Sequence, residues 1–359
     1  MGRVRYIGSK ARVVKQILDI AGPPNGGRFL DVFSGTGVVS QQAAIGGWGV
    51  WANDHLLSSS ILTTAQLLSH KDVPFISLGG YTAAIRKLNV TSPHGGFIYA
   101  EYTPSGKSRS GHERRYFTTE NGRRIDGMRV QIEDWDRNGK LTVNERALLL
   151  ADLLEAANRV ANIAGTYGCF LRHWTKPAQR RLLVSPRALL SKSASFQVSC
   201  KDVFELTTLP NDLAYLDPPY TKRQYAAYYH ILETIVVGDS PTVSGVTGLR
   251  SWEDKSSPFC FKKRALSALA SLTIGLGTKR VLISYSSEGH VTLPELRQSL
   301  QGYGEVAIHE IADIGRYRPN QKALRLSSVT EYVLEWTRFK FSRIDQPKPR
   351  RAYELSTSA

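Results

Sequence analysis

The sequence predicts an α/β protein built on a mainly parallel sheet, and three observations support that prediction. An apolar run at residues 29–33 is followed by a glycine turn, a helical pattern and a second apolar run at residues 48–52. A buried-strand pattern at residues 213–216 stops abruptly at two prolines, and another at residues 280–285 follows a helical segment. Strands that alternate with helices form βαβ units, and their strands run parallel.

Composition and charge narrow the classes of partner. The 359-residue chain carries 47 Lys and Arg against 31 Asp and Glu, which gives a formal net charge of +16. A surplus of this size favours polyanions, with nucleic acid first and anionic membrane surfaces second. The alternative is a generally basic surface with no such partner.

The sequence indicates neither a metal site nor a membrane span. The three cysteines form no CxxC pair and the eight histidines do not cluster at ligand spacing, so we expect no zinc site and no disulfide framework. The first residues lack an apolar signal region, and no run of about 18 uninterrupted apolar residues is present. We therefore expect a soluble, cytoplasmic protein.

The first βαβ unit contains a glycine turn that suits a small-molecule site. Asp31 ends its first strand, Gly35 and Gly37 lie in the turn, and Asp54 ends its second strand. The carboxylate of Asp31 could pair with an ammonium group but would repel a pyrophosphate, and an acid at the position of Asp54 commonly grips ribose hydroxyls. These features suit S-adenosylmethionine better than NAD, although an ordinary structural turn remains the alternative. Lys10, in a Gly-Ser-Lys turn before a predicted helix, is either a surface lysine or a cofactor contact.

The segment Asp217-Pro218-Pro219-Tyr220 follows the strand pattern at residues 213–216 and suggests chemistry on a planar amine. The amino group of adenine is a poor nucleophile because its lone pair is delocalised into the ring, so acceptors for its N–H bonds promote reaction. Asp217 and the carbonyl of Pro218 supply two acceptors, and Tyr220 can stack on the base for about 1–3 kcal/mol. The alternative, an ordinary turn after a strand, requires neither the acid nor the aromatic ring.

Two basic stretches in the middle of the chain indicate nucleic-acid contacts. Residues 95–126 form a loop-rich region in which aromatic residues interleave with arginines, and residues 173–187 form a basic segment that contains a tryptophan. Arginine and lysine contact phosphates, and aromatic side chains stack on bases. The alternative is a solvated basic face whose aromatic residues form a small core. The candidate DNA contacts are Arg114, Arg115, Arg123, Arg124, Lys176, Arg180 and Arg181.

Four motifs, in their order along the chain, resemble those of the Dam-like N6-adenine DNA methyltransferases. They are Arg5-Tyr-Ile-Gly-Ser-Lys10, Phe29-Leu-Asp-Val-Phe-Ser-Gly-Thr-Gly37, Asn53-Asp54 and Leu216-Asp-Pro-Pro-Tyr220. The resemblance implies a Rossmann-like, S-adenosylmethionine-dependent methyltransferase sheet with a mainly helical and loop target-recognition insertion. It covers roughly residues 3–60 and 196–336.

The resemblance also implies roles for single residues. Asp217 and Tyr220 would hold a flipped-out base. The recognition insertion differs from that of Dam, so its GATC specificity is not implied. The residues that the resemblance places at S-adenosylmethionine are Tyr6, Lys10, Phe33, Gly35, Asp54 and, at the cofactor's adenine, Asp202.

We therefore predict a catalytic methyltransferase domain at residues 1–60 and 196–340, an insertion at residues 61–195 and a polar tail at residues 341–359. The predicted function is site-specific transfer of a methyl group to N6 of a flipped-out adenine in duplex DNA. A restriction-modification, phage or orphan setting is expected, and a partner restriction endonuclease is left open. The alternatives are the same chemistry on RNA adenine and a non-catalytic DNA-binding protein on a methyltransferase core.

Overall fold

The computed structural model describes residue 8 and residues 10–106, 111–311 and 330–339, and a seven-stranded sheet lies at its centre. A separate two-stranded hairpin follows the fourth strand. The strands are β1 (Arg28–Asp31), β2 (Gly49–Asn53), β3 (Phe196–Ser199), β4 (Leu213–Leu216), β5 (Val243–Ser244), β6 (Leu249–Arg250), β7 (Arg280–Ser286), β8 (Gly304–Ile311) and β9 (Glu331–Arg338).

The helices lie on both faces of the sheet and in the long segment between β2 and β3. A short 3-10 helix, Lys10–Arg12, precedes them. They are α1 (Val14–Ala21), α2 (Val38–Ile45), α3 (Leu57–Leu67), α4 (Tyr81–Asn89), α5 (Phe97–Tyr102), α6 (Thr119–Arg137), α7 (Val143–Arg159), α8 (Tyr225–Tyr228), α9 (His230–Val237), α10 (Lys262–Gly275) and α11 (Leu293–Leu300).

The strand order is β3-β2-β1-β4-β7-β9-β8, and β9 runs antiparallel to both of its neighbours. The first three strands extend from β1 in one direction, whereas β4 pairs with the other side of β1. The carboxyl ends of β1 and β4 therefore flank a topological switch point, where open α/β sheets bind their ligands. The mainly parallel sheet with its covering helices confirms the predicted Rossmann-like fold.

Side chains of the central strands alternate between two buried cores. Phe29 and Tyr215 pack with α1 and α2 on one face, and Leu30 and Leu216 pack with α10 and α11 on the other. Burying a large apolar side chain is worth about 1.5–3 kcal/mol, and a one-residue slip would exchange the faces of a whole strand. The two cores therefore fix the register that brings the ends of β1 and β4 together.

The segment between β2 and β3 builds a third core from α3 to α7, and α9 packs against it. Residues 95–126, predicted to be rich in loops, contain α5 and the first turns of α6 in the structure. Two glycines hid the helical sequence pattern at the start of α6, but close packing requires glycine at both positions. A Cβ on Gly122 would lie 2.3 Å from the Thr103 side chain, and one on Gly127 would lie 2.4 Å from the Ser92 carbonyl oxygen. The predicted domain boundaries stay a prediction.

Candidate active site

A cleft opens at the switch point between the ends of β1 and β4. It encloses about 1090 Å³, its open mouth included. Ligand pockets commonly hold roughly 300–1,000 Å³, so the cleft is large enough for a nucleoside-sized ligand and more. The sequence-predicted residues that line it are Lys10, Asp31, Phe33, Gly35, Asp54, Asp202, Asp217, Pro218, Pro219 and Tyr220.

Two predicted cofactor residues are absent from this lining. Tyr6 lies outside the described residues. Gly37 begins α2 with φ = 76°, and a Cβ there would lie 2.8 Å from the Cα of Thr63. Gly37 is therefore needed for the packing of α2 against α3, and its contact with the cofactor stays a prediction.

Asp54 holds the glycine loop in place. One carboxylate oxygen accepts a hydrogen bond from the Gly35 amide and the other from the Leu56 amide, each at 2.9 Å. Burial raises the pKa of Asp54 to about 6, although these two amides oppose the shift. Asp54 thus fixes the loop relative to the start of α3 while it lines the cleft.

Asp31 has one satisfied oxygen and one without a partner. Its Oδ2 accepts a 2.7 Å hydrogen bond from the Ser40 hydroxyl, whereas its Oδ1 is buried and has no hydrogen-bond partner among the described residues. Burial raises the pKa of Asp31 to about 7, and the nearby charge of Asp217 adds to that rise. An unmade hydrogen bond at a buried acceptor costs about 1–3 kcal/mol. The free oxygen therefore fits a positively charged ligand group.

Lys10 bridges two carboxylates at the centre of the cleft. Its ammonium nitrogen lies 3.2 Å from Asp217 Oδ1 and 3.0 Å from Glu331 Oε2. Burial by itself would lower the pKa of Lys10, but the two carboxylates outweigh burial and raise it above its ordinary value. Lys10 is only 4 % exposed, so its interpretation as a surface lysine is wrong.

The same ion cluster sets the protonation of Asp217. Burial raises the pKa of Asp217 to about 6; the Lys10 ammonium opposes this shift and the Glu331 carboxylate adds to it. Asp217 is therefore mostly ionised at neutral pH and able to accept hydrogen bonds. Tyr220 stands beside it, with its ring edge-to-face on Tyr285 at 5.7 Å between centroids. Burial raises the pKa of Tyr220 to about 12, so its hydroxyl stays protonated.

Three phenylalanines form an aromatic wall on another side of the cleft. The rings of Phe33 and Phe259 meet edge-to-face at 5.4 Å, and Phe204 stacks on Phe259 at 6.0 Å. Asp202 accepts a 3.0 Å hydrogen bond from the Phe204 amide, which fixes this corner. The sequence analysis missed Phe204 and Phe259. The position of Phe204, two residues after Asp202, was a usable signal, whereas Phe259 and Glu331 belong to none of the four motifs.

A loop that contains Phe259 is tied to the segment after Tyr220. The Gln224 side chain accepts from the Ser257 amide at 2.9 Å and donates to the Ser257 carbonyl at 3.2 Å. Lys255 in the same loop forms a 2.7 Å ion pair with Glu233 on α9. Gln224, just before α8, and Glu233 on α9 therefore fix the loop that places Phe259 at the wall of the cleft.

Two of the predicted DNA contacts are buried structural arginines. Arg114 is 0 % exposed, pairs with Glu101 at 2.9 Å and donates to the carbonyls of Gly245 and Val246 in the β5–β6 hairpin. Arg124 is 2 % exposed, and its guanidinium donates to two backbone carbonyls. A side chain buried in this way cannot reach a phosphate, so the prediction that Arg114 and Arg124 contact DNA is wrong.

The other predicted DNA contacts lie at the surface. Arg115 pairs with Glu113 at 2.9 Å, and Arg123 stacks over the ring of Tyr99 at 4.6 Å from its centroid. Exposed basic side chains also project from the segment at residues 176–181. These are Lys176, Arg180 and Arg181.

Within residues 10–106, 111–311 and 330–339, no group of three or more His, Cys, Asp or Glu side chains is arranged to hold a metal ion. No helix in the described part of the chain is long and apolar enough to span a membrane.

Comparison with known proteins gives a consistent family. The family model of the D12 class N6 adenine-specific DNA methyltransferases matches residues 6–297. The chain is 31 % identical to the Type II methyltransferase M.FokI of Planomicrobium okeanokoites over 92 % of its own length and 52 % of that protein. It is 30 % identical to the modification methylase StsI of Streptococcus sanguinis over 89 % of its length and 49 % of that protein.

A shorter relative is covered more completely. The chain is 32 % identical to the Type II methyltransferase M.NlaIII of Neisseria lactamica over 84 % of its own length and 89 % of that protein. It thus spans about half the length of the first two relatives and most of the third. Because the family model matches residues 6–297, well over half of the sequence, the chain belongs to the D12 class N6 adenine-specific DNA methyltransferases.

Proposed function

We propose that this chain transfers a methyl group from S-adenosylmethionine to N6 of an adenine that is flipped out of duplex DNA. The observation that carries the proposal is the meeting of two half-sites in one cleft. Asp31, Asp54 and the glycine loop lie on one side, and Asp217 and Tyr220 lie on the other. The names of the relatives, which are Type II methyltransferases and modification methylases, support the same activity.

The residues of the first half-site fit S-adenosylmethionine. The unpartnered Oδ1 of Asp31 suits the ammonium group, and Asp54 suits the ribose hydroxyls. Asp202 and the aromatic wall of Phe33, Phe204 and Phe259 suit the adenine ring, because stacking and an edge acceptor recognise a planar, polar base. When bound, S-adenosylmethionine supplies an electrophilic methyl group carried on a sulfonium.

Asp217 and the carbonyl of Pro218 act on the target amino group. Both oxygens accept hydrogen bonds from the N–H groups of N6. These hydrogen bonds orient the N6 lone pair and stabilise the positive charge that builds up on N6 as the bond to the methyl carbon forms. N6 then releases a proton to solvent. Tyr220 holds the base by stacking, and the few kcal/mol needed to unpair and flip it are repaid by these contacts.

The exposed basic side chains at residues 176–181, together with Arg123, supply phosphate contacts on the duplex. Such contacts position DNA without reading its sequence. The family and the names of the relatives favour a restriction-modification setting, in which a partner endonuclease would cut the unmodified site.

The first prediction concerns the acceptor. Asp217→Ala should lower methyl incorporation into duplex DNA by at least roughly 100-fold, because it removes a group that stabilises charge in the transition state. DNA affinity should stay within about threefold, since phosphate contacts supply most of that affinity. Labelled-methyl incorporation and filter binding measure the two quantities, with the exposed Asp19→Ala on α1 as the control. Retained turnover in Asp217→Ala would refute the mechanism, and a wild-type preference for RNA of the same sequence would move the proposal to RNA.

The second prediction concerns Asp31. Asp31→Asn should weaken S-adenosylmethionine binding by about 2 kcal/mol, roughly 30-fold, because a buried charge partner is lost. The folded-state pKa of Asp31, about 7, lies above the unfolded value. Protonation therefore stabilises the fold at low pH, and this contribution is lost as pH rises through about 7. The variant should accordingly be as stable as the wild type, or more stable, at pH 8.

Calorimetric titration and thermal unfolding at pH 6 and pH 8 test this second prediction. Asp54→Asn is the matched comparison, because its carboxylate holds two backbone amides. Asp54→Asn should lose both thermal stability and affinity for S-adenosylmethionine. Undiminished S-adenosylmethionine binding by Asp31→Asn would contradict the assignment.

The third prediction concerns the duplex. Replacing both Arg180 and Arg181 by Ser should weaken DNA binding on all sequences and reduce the slope of log affinity against log salt by about 2, since each lost phosphate contact removes roughly 0.9. Replacing the exposed Lys262 and Lys263, at the start of α10 on the sheet face away from the helical segment, should leave that slope unchanged. Fluorescence anisotropy at several salt concentrations measures both. Equal effects of the two double variants would show that only net charge matters.

A further inference from the structure

Glu331 pairs with Lys10, a residue that lines the cleft, although Glu331 itself does not line it and belongs to none of the four motifs. It opens β9 and lies beyond residues 6–297, which the family model matches. Its Oε2 nevertheless lies 3.0 Å from the Lys10 ammonium, closer than the 3.2 Å between that ammonium and Asp217. Pairing of β9 with β7 at Glu331 and Ser286 brings this carboxylate to the sheet end next to β4.

The cluster has an uneven charge balance. One ammonium faces two carboxylates, so the cluster of Lys10, Asp217 and Glu331 carries a net charge of −1 when all three are ionised. The exposed fractions of the three side chains are 3 %, 17 % and 14 %. Charges so poorly solvated interact more strongly than charges at a surface.

This charge balance matters for the reaction under the proposed function, on which this inference rests. Positive charge builds up on the adenine amino group beside Asp217. If Lys10 and Asp217 were alone, they would form a neutral pair, and the ammonium would repel the charge that develops on N6. With Glu331 present, a second carboxylate neutralises Lys10, and the negative charge of Asp217 remains available.

We propose that Glu331 is a positioning residue for methyl transfer: it holds the Lys10 ammonium and neutralises its charge, so that the negative charge of Asp217 is not cancelled by Lys10 and remains available to the target amino group. Lys10 is thereby the mediator, and Glu331 acts on the substrate only through it.

The other groups that face Asp217 do not replace Glu331. Burial and Glu331 both raise the pKa of Asp217, and Lys10 lowers it. Removing Glu331 should therefore lower the pKa of Asp217 for two reasons. A repelling negative charge is lost, and the Lys10 ammonium then pairs with Asp217 alone. In the described part of the chain, further titratable groups coupled to Asp217 from neighbouring elements include Asp31 on β1, Tyr215 on β4, Tyr220 after β4 and Tyr225 on α8.

The test is Glu331→Gln, which keeps shape and removes charge. Its single-turnover rate of DNA methylation should fall by about tenfold or more, less than the roughly 10²–10³-fold loss expected for a group that touches the transition state. The acid limb of kcat/KM, which reports the free enzyme, should move to lower pH. Affinity for S-adenosylmethionine should change by less than about twofold, because Glu331 is not among the residues that line the cleft.

Glu335→Gln is the matched control. Glu335 lies on the same strand and pairs with Arg280 at 2.6 Å and with His309 at 2.8 Å, and neither Lys10 nor Asp217 is among these partners. This variant should keep the wild-type rate and pH profile. If Glu331→Gln does not fold, Glu331→Asp is the second variant, because its shorter side chain keeps the negative charge but places it farther from the Lys10 ammonium. Its methylation rate and the acid limb of its kcat/KM profile should lie between those expected for Glu331→Gln and those of the wild type.

A readout without catalysis separates this inference from the proposed function. In protein with ¹³C-labelled aspartate carboxyls, the titration midpoint of Asp217, assigned with Asp217→Asn, should be lower in Glu331→Gln than in the wild type. An unchanged midpoint, or an unchanged rate and acid limb, overturns the inference while wild-type activity upholds the proposed function. A slower variant with an unmoved acid limb also overturns it. A wild-type protein without methyl incorporation overturns the proposed function and the catalytic role of Glu331 together, whatever the titration shows.

Discussion

The parallel pairing of β1 with β4 is the constraint on which the whole site depends. It sets Asp31 beside Tyr215 in register, so the end of β1 and the Asp217 segment after β4 emerge at the same edge of the sheet. Burial raises the pKa of Asp31 to about 7 and that of Asp217 to about 6, and the charge of Asp217 adds to the rise at Asp31. A protein maintains such an arrangement only when the surrounding packing fixes it, and the two apolar cores on either face of the sheet do so here.

The buried charges of the cleft are compensated in different ways. Asp54 is satisfied by two backbone amides, and Asp217 by the ammonium that it shares with Glu331. The Oδ1 of Asp31 has no hydrogen-bond partner among the described residues, and under the proposed function the cofactor's ammonium group would satisfy it. Under the same proposal, the stability that the fold gives up at Asp31 would contribute to cofactor binding.

Local patterns in the sequence predicted much of the fold. The strand Leu213–Leu216 was predicted with its observed bounds, and the helical pattern predicted after the glycine turn is the helix Val38–Ile45, because apolar periodicity and flanking Gly or Pro define both locally. The four motifs likewise led to nine of the residues that line the cleft, and the family resemblance added Asp202.

What the sequence could not predict depends on contacts between distant residues. A run of arginines looks the same whether a guanidinium faces solvent, as in Arg123, or satisfies a buried carboxylate and carbonyls, as in Arg114. The ion cluster joins Lys10 to residues more than 200 positions away, and neither Glu331 nor Phe259 stands in a recognisable motif. The pairing of β9 with β7 brings Glu331 to Lys10, and the hydrogen bonds of Gln224 to Ser257 hold the loop that carries Phe259.

The central claim is that this cleft methylates adenine N6 in DNA, and the DNA itself is the most direct place to test it. The chain should be expressed in a host without DNA methylation, and the host genome then read by single-molecule sequencing, which reports the modified base and its context together. The account predicts N6-methyladenine in one defined sequence context, and none in cells that express Asp217→Ala. A genome with no N6-methyladenine in any context, from cells that contain the folded wild-type protein, would contradict it.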